Sequence, residues 1–322
     1  MKKSTITILL VAVGAAFLIA IMLLTYYPKE EVPLSIKIGH LPIVGDLPVF
    51  VAVEQGFFED EGLDVDLVEL HSGNEAISAL VTGRTQMHGT VGCSSLFTIE
   101  AKMPGKLKAI MSAEETADKY GANIVVRNDL LLQSLEDLKG RKLGTYAGLT
   151  HLLTAKLILR NLMDPDTDVE IVQVEPRLQI QALAAKQFDC LLSIEPYPTI
   201  AVEKGIARIL EPNVRSRFIV APFWAAGTVV SGKFARENPD ICRKFINALG
   251  KAVDFIEERE EEARQYIAKY TPLEDDIAGK VRLYRWSKLG DEDREAVQKL
   301  ADKYLEAGLI QSRIDINDMF FK

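Results

Sequence analysis

From Ser35 onward the chain alternates short apolar stretches with longer ones of helical period, the layering of a sheet covered by helices. Ile36-Lys37-Ile38-Gly39-His40-Leu41 alternates at period two, as a strand does. Pro48 to Gln55 predicts a short helix stopped by Gly56, and Leu63 to Leu70 a second strand that ends at Ser72-Gly73-Asn74. Ala76, Ile77, Leu80 and Val81 fall on one helical face, and Gly83 stops that helix. Met87 to Val91 and Leu107 to Met111 complete the first series as strands.

A second series starts after Ile124-Val125-Val126. Ser134 is placed to cap a short turn ending at Gly140. Strands are expected at 142–146, 169–174, 190–194 and 207–210, with helices at 152–162 and 178–185. Gly227 to Val230 reads as a further strand, and from Asn238 the pattern is mostly helical. Ile241, Phe245, Leu249, Val253 and Ile256 form one stripe, and Val297, Leu300, Tyr304 and Leu305 a second. The helical tail either forms its own domain or packs back on the first series. The latter gives two lobes, with crossing strands near Ile124–Arg127 and Val229–Ser231. Periodicity leaves both open.

The first residues differ in kind. Lys2 and Lys3 precede an uncharged stretch from Ile6 to Leu24, long enough as a helix to cover roughly 28 Å. Tyr26 and Tyr27 follow at the expected membrane boundary, and the lysines place the N-terminus inside. A cleaved signal is the alternative, but its apolar part is shorter and ends in a small-x-small site, whereas this stretch exits through Thr25-Tyr26-Tyr27-Pro28. An uncleaved anchor is the preferred reading, and both readings export the protein.

Composition narrows the rest. The chain is 322 residues long, 48% hydrophobic and 26% charged, with a net charge of −8. That balance argues against a nucleic-acid partner, which needs a basic face. Cys93, Cys190 and Cys242 lie too far apart for a disulfide framework or metal pattern, so buried, unpaired thiols are expected. No phosphate loop, dinucleotide fingerprint or nucleophile elbow is present.

Four motifs in order carry a family resemblance. The run Val51-Ala52-Val53-Glu54-Gln55-Gly56-Phe57-Phe58-Glu59-Asp60-Glu61-Gly62-Leu63 resembles the opening signature of the nitrate/sulfonate/taurine and thiamine-precursor group of periplasmic solute-binding proteins. Ala79-Leu80-Val81-Thr82-Gly83 and Asp137-Leu138-Lys139-Gly140 follow at that family's spacing, as does Ala182-Leu183 with Phe188-Asp189-Cys190 and Glu195-Pro196. The chain departs from the pattern at Lys186-Gln187, where a glycine is usual, and at His88-Gly89. The resemblance implies an α/β, type II periplasmic-binding-protein fold of two lobes joined by two hinge strands. Residues 1–34 would be membrane anchor or signal and linker, 35–125 plus 231–322 the first lobe, and 126–230 the second. It also implies an extracytoplasmic protein that delivers a small-molecule ligand to the permease and ATPase subunits of an ABC importer, without cofactor or catalysis. The N-terminal membrane anchor departs from the cleaved signal or lipid site usual in that family, and a monomer is expected. An enzyme on the same fold, such as a thiamine-pyrimidine synthase, and a ligand-sensing module are the alternatives.

In such sheets the guest sits beyond the carboxyl ends of the strands, where loops enter helices. Those loops supply His40, then Ser72-Gly73-Asn74, then Gly92 and Ser94, and from the second lobe Tyr146, Thr150, His151 and Glu195. Helix N-termini and hydroxyls there suit an anionic or strongly polar solute such as a sulfonate, nitrate or bicarbonate. Glu195 is the one carboxylate expected to face the cleft, and Trp224 is placed either to stack on the guest or to pack. No arginine falls in these loops. The histidines lack metal-ligand spacing, so no metal is expected.

Overall fold

The computed structural model describes residues 34–322. Two sheets organise them. The first comprises β1 (Leu34–His40), β2 (Leu63–Glu69), β3 (Met87–Gly92), β4 (Leu107–Glu115), β10 (Phe223–Ser231) and β11 (Arg285–Lys288), in the order β11-β4-β10-β3-β1-β2. The second comprises β5 (Ala122–Arg127), β6 (Lys142–Tyr146), β7 (Glu170–Val174), β8 (Cys190–Ile194) and β9 (Ala207–Glu211), in the order β7-β6-β8-β5-β9. In each sheet the strands that lead into helices pair in parallel, β1 with β3 and β6 with β7 and β8. The strands that carry the chain between sheets run antiparallel, β10 between β3 and β4 and β5 between β8 and β9.

The local chemistry explains the boundaries. Ser72 caps the helix Gly73–Thr82 by accepting from the Glu75 amide at 3.2 Å, and Gly83 ends it with φ 76°. Ser134 and Asp137 form a capping box on the short turn Leu135–Leu138. Proline opens the helices Leu47–Glu54 and Pro239–Glu258, where its missing N–H is not needed.

The crossings lie elsewhere than expected. Ile124–Arg127 sits inside the five-stranded sheet and Val229–Ser231 inside the six-stranded one. The chain instead passes between the sheets at 116–121 and 212–222. The strand β10 begins at Phe223, four residues before the expected start, and is buried on both faces apart from Ser231. A strand of that kind shows no alternation to read.

The tail helix Pro239–Glu258 lies against the helices Leu47–Glu54 and Phe57–Asp60 and against β11. Its stripe buries Phe245, Leu249, Val253 and Ile256, and Phe58 meets Phe245 edge to face at 6.0 Å. The tail is thus part of the first sheet's core. Cys93, Cys190 and Cys242 are all unpaired and buried. The uncharged stretch from Ile6 to Leu24 lies outside the described residues, and among the described ones no helix is long and apolar enough to cross a membrane.

Truncating Leu249, 1% exposed, to alanine is expected to cost about 2–5 kcal/mol and to lower one cooperative unfolding transition in urea. A separate early transition of the tail would contradict its place in this core.

Candidate functional site

Where the two sheets' helices meet, residues from both halves enclose a cavity of about 40 Å³, room for on the order of three waters. The six-stranded half contributes Leu41, Ile43, Gly45, Thr90, Gly92 and Ser95. The five-stranded half contributes Tyr146, Gly148, Leu149, Thr150, His151 and Ile194. Arg215 and Tyr284 close it from the side of the crossings.

The walls touch because two helix N-termini meet. Gly92 precedes the helix Cys93–Lys102 and Gly148 precedes Leu149–Leu159. Gly148 has φ 132°, a conformation that favours glycine. A Cβ on Gly92 would come within 2.5 Å of Thr150 Oγ1, so only glycine allows this approach. Thr150 Oγ1 accepts from the Ser95 amide at 3.2 Å and shares a hydrogen bond with Ser95 Oγ at 3.1 Å. Ser94 Oγ donates to the Thr150 carbonyl at 3.3 Å and shares a hydrogen bond with Tyr304 Oη at 2.6 Å. The hydroxyls of Ser94 and Thr150, expected to grip a guest, are therefore used between the halves.

Other bonds bridge the same junction. The Val44 amide donates to the Glu195 carbonyl at 3.2 Å, Tyr197 Oη donates to the Pro42 carbonyl at 3.2 Å, and Arg177 pairs with Glu69 at 2.5 Å. Together they hold the two halves in contact.

Of the residues expected at the site, Gly73, Gly92, Tyr146, Thr150 and His151 line the cavity. The others have different surroundings. Ser72 is occupied as a helix cap beside Asn74. Trp224 donates its indole N–H to Ser112 Oγ at 2.9 Å and packs on Phe97 and Phe320, which makes it a core residue. His40 is buried, edge-on to Phe50 at 5.4 Å. Glu195 is 2% exposed behind the wall, with Oε2 unpartnered.

The loops named from sequence hold no arginine, but Arg215 reaches the site from outside them. It lies 3% exposed in the short helix Val214–Phe218 and lines the cavity. Nothing in its local sequence signals this, because its partner Glu115 is a hundred residues away.

The electrostatics favour hydrogen-bond donors. Tyr146 Oη is buried without a partner, and its ring stacks on His151 with centroids 4.6 Å apart. His151 keeps part of its surface, yet burial first and the Arg215 charge second push it down to about 3, so the imidazole is neutral near pH 7. Burial raises Asp46 to about 7 against hydrogen bonds from Thr90 and the Leu41 amide, and raises Glu195 to about 7 against bonds from Thr199. Among the described lining residues there is no carboxylate. The unpaired amides at the start of Leu149–Leu159 add positive dipole to the same wall.

Residues 29–271 match the model of the NMT1-like family. The chain belongs to that family. The putative aliphatic sulfonates-binding protein of Bacillus subtilis is 27% identical over 84% of this chain and 82% of its own. A 4-amino-5-hydroxymethyl-2-methylpyrimidine phosphate synthase of Saccharomyces cerevisiae is 21% identical over 65% of this chain and 63% of its own. Among solved structures, the alkanesulfonate-binding protein of Xanthomonas axonopodis pv. citri bound to MOPS superposes with TM-score 0.72 at 17% identity, covering 89% of this chain and 98% of that one. The periplasmic nitrate-binding protein of Synechocystis does so with TM-score 0.72 at 14% identity, covering 88% and 84%. The fold is the α/β periplasmic-binding-protein fold with two sheets.

Asp46 generates a pH prediction. Its carboxyl keeps its proton to about 7 when folded and loses it from 3.8 when unfolded, so its contribution is present below about pH 4 and is lost as pH rises to about 7. Asp46→Asn retains an acceptor for the Leu41 amide, which reaches Asp46 Oδ2 at 2.6 Å. The melting temperature of the variant relative to the parent should rise between pH 4 and 7 and level off above. A difference independent of pH would contradict the buried, neutral carboxyl.

Proposed function

We propose that this chain is the extracytoplasmic solute-binding component of an ABC importer, capturing a small polar or anionic solute by closing two lobes over it. The observation that carries the reading is the small cavity built jointly by two halves that, among the described residues, share two crossings, with donors and no carboxylate among its described walls. A guest there touches both halves only when they are shut, so binding shifts the population towards the shut form. At micromolar affinity it would contribute about 8 kcal/mol in total, less the cost of closing.

In this reading the hinges are 116–121 and 212–222, and the lobes are the bodies around the two sheets. The small cavity suits nitrate, bicarbonate or a compact sulfonate better than a long-tailed one. Tyr146 Oη and the amides after Gly148 would donate to its oxygens, while neutral His151 and Tyr284 shape the walls. The permease and ATPase of the importer are the partners that receive the shut form. The stretch from Ile6 to Leu24 would tether the protein, acting as a monomer, to the membrane. Chemistry on a thiol is disfavoured, since burial pushes Cys93 and Cys242 up to about 11 and Cys190 up to about 12.

Calorimetric titration with nitrate, bicarbonate and methanesulfonate should find at least one that binds. Tyr146→Phe should weaken that solute about tenfold, the loss of one charge-assisted bond, while Glu195→Gln should change it less than about threefold. The reverse order would move the site to Glu195.

A further inference from the structure

Glu115 ends β4 at the entrance to the outbound crossing, and Arg215 lies in the return crossing. Glu115 is fully buried and gathers four donors. Arg215 Nε reaches its Oε2 at 2.8 Å and Nη2 its Oε1 at 2.6 Å, while the Gly121 and Ala122 amides reach Oε1 at 2.8 and 2.7 Å. Around this pair the crossings are stitched together, with Ser216 Oγ donating to the Glu115 carbonyl at 3.0 Å and Asn213 Nδ2 to the Thr116 carbonyl at 2.8 Å. Tyr284 Oη takes a longer bond from Arg215 Nη2 at 3.4 Å and fills the space beside Gly121, where a Cβ would collide with it.

A guanidinium carries five N–H donors. Glu115 and Tyr284 occupy Nε and Nη2, and among the described residues Nη1 finds no acceptor. Arg215 nevertheless lines the cavity, as does Tyr146, whose buried hydroxyl is also unpartnered. Two donors without acceptors therefore belong to one enclosed space.

We propose that Arg215 is the charged solute contact of this cavity and that Glu115 is its positioning residue, fixing the fork and tempering the charge the guest meets. The proposal rests on the binding reading above and adds a coupling to it. A solute oxygen bonded to Nη1 attaches to the side chain that ties both crossings, so occupancy and hinge position share one group. It also sets selectivity, because the Glu115 charge opposes the guest's own. An acceptor-rich monoanion is tolerated and a dianion is rejected.

The test uses the full chain in detergent, with nitrate, bicarbonate and methanesulfonate as monoanion probes and sulfate as the dianion. Arg215→Lys keeps the charge but not the fork and should weaken the binding monoanion about thirtyfold. Glu115→Gln removes the opposing charge at the expense of one bond to the fork, so it should admit sulfate and raise its affinity relative to the monoanion about tenfold. A purely structural pair predicts weaker binding of every probe in both variants, and that result overturns the proposal. Should a variant fail to fold, nitrogen-15 arginine spectra of the parent protein decide. The Arg215 side-chain signal should shift on addition of the monoanion that binds. Binding with that signal unmoved overturns this proposal alone, whereas no probe binding at all overturns the solute reading together with it.

Discussion

The relation between the two halves depends on one buried ion pair. Glu115 and Arg215 lie with side chains 0% and 4% exposed and 2.6 Å apart, on the two segments that are the only covalent links between the sheets among the described residues. Burial works against the guanidinium's charge, and Glu115 together with Tyr284 and Cys93 more than offsets it, so the pKa of Arg215 is raised. Removing one partner of such a pair typically costs about 3–5 kcal/mol, because the other charge is left buried alone. The four donors on Glu115 fix where β5 starts, where the return crossing lies, and so how the cavity's walls approach each other.

The second constraint is steric. Gly92 and Thr150 occupy the same small space at the meeting of two helix N-termini, so the walls come close enough for serine and threonine oxygens to satisfy one another. This approach uses hydroxyls that a wider cleft would offer to a guest. What remains for a solute is a small chamber with aromatic and apolar sides, a neutral imidazole, an unpartnered phenol and a half-engaged guanidinium. A sulfonate-binding relative and a nitrate-binding structure share the fold, and chamber size is the property by which this NMT1-like chain would sort such solutes.

Much of the architecture was legible in sequence because it is set locally. Ser72 and Gly83 bound their helix at the expected residues, and the apolar stripe from Ile241 to Ile256 marks a real buried face. What escaped is set by distant contacts. The pattern starts β10 only at Gly227, missing Phe223 to Ala226, because a central strand is covered on both faces and does not alternate. The strand β11, Arg-Trp-Ser-Lys, is four residues at a sheet edge and too short to carry a period. At the site, the order of loops and helices revealed where a chamber would form and named five of its lining residues. Whether Ser94 and Thr150 point at a guest or at each other depends on the approach of the halves, and Arg215 reaches the chamber only because Glu115 folds beside it.

The central claim is that the halves shut on a solute. Its most direct test is the distance between spin labels at Val81 and Leu178, exposed positions on different halves. The native thiols are buried, so introduced cysteines can be labelled selectively. The account predicts a broad or longer distance distribution without solute that narrows and shortens by several ångströms with a saturating small oxyanion. An identical distribution in both conditions, while calorimetry shows that oxyanion bound, would contradict it.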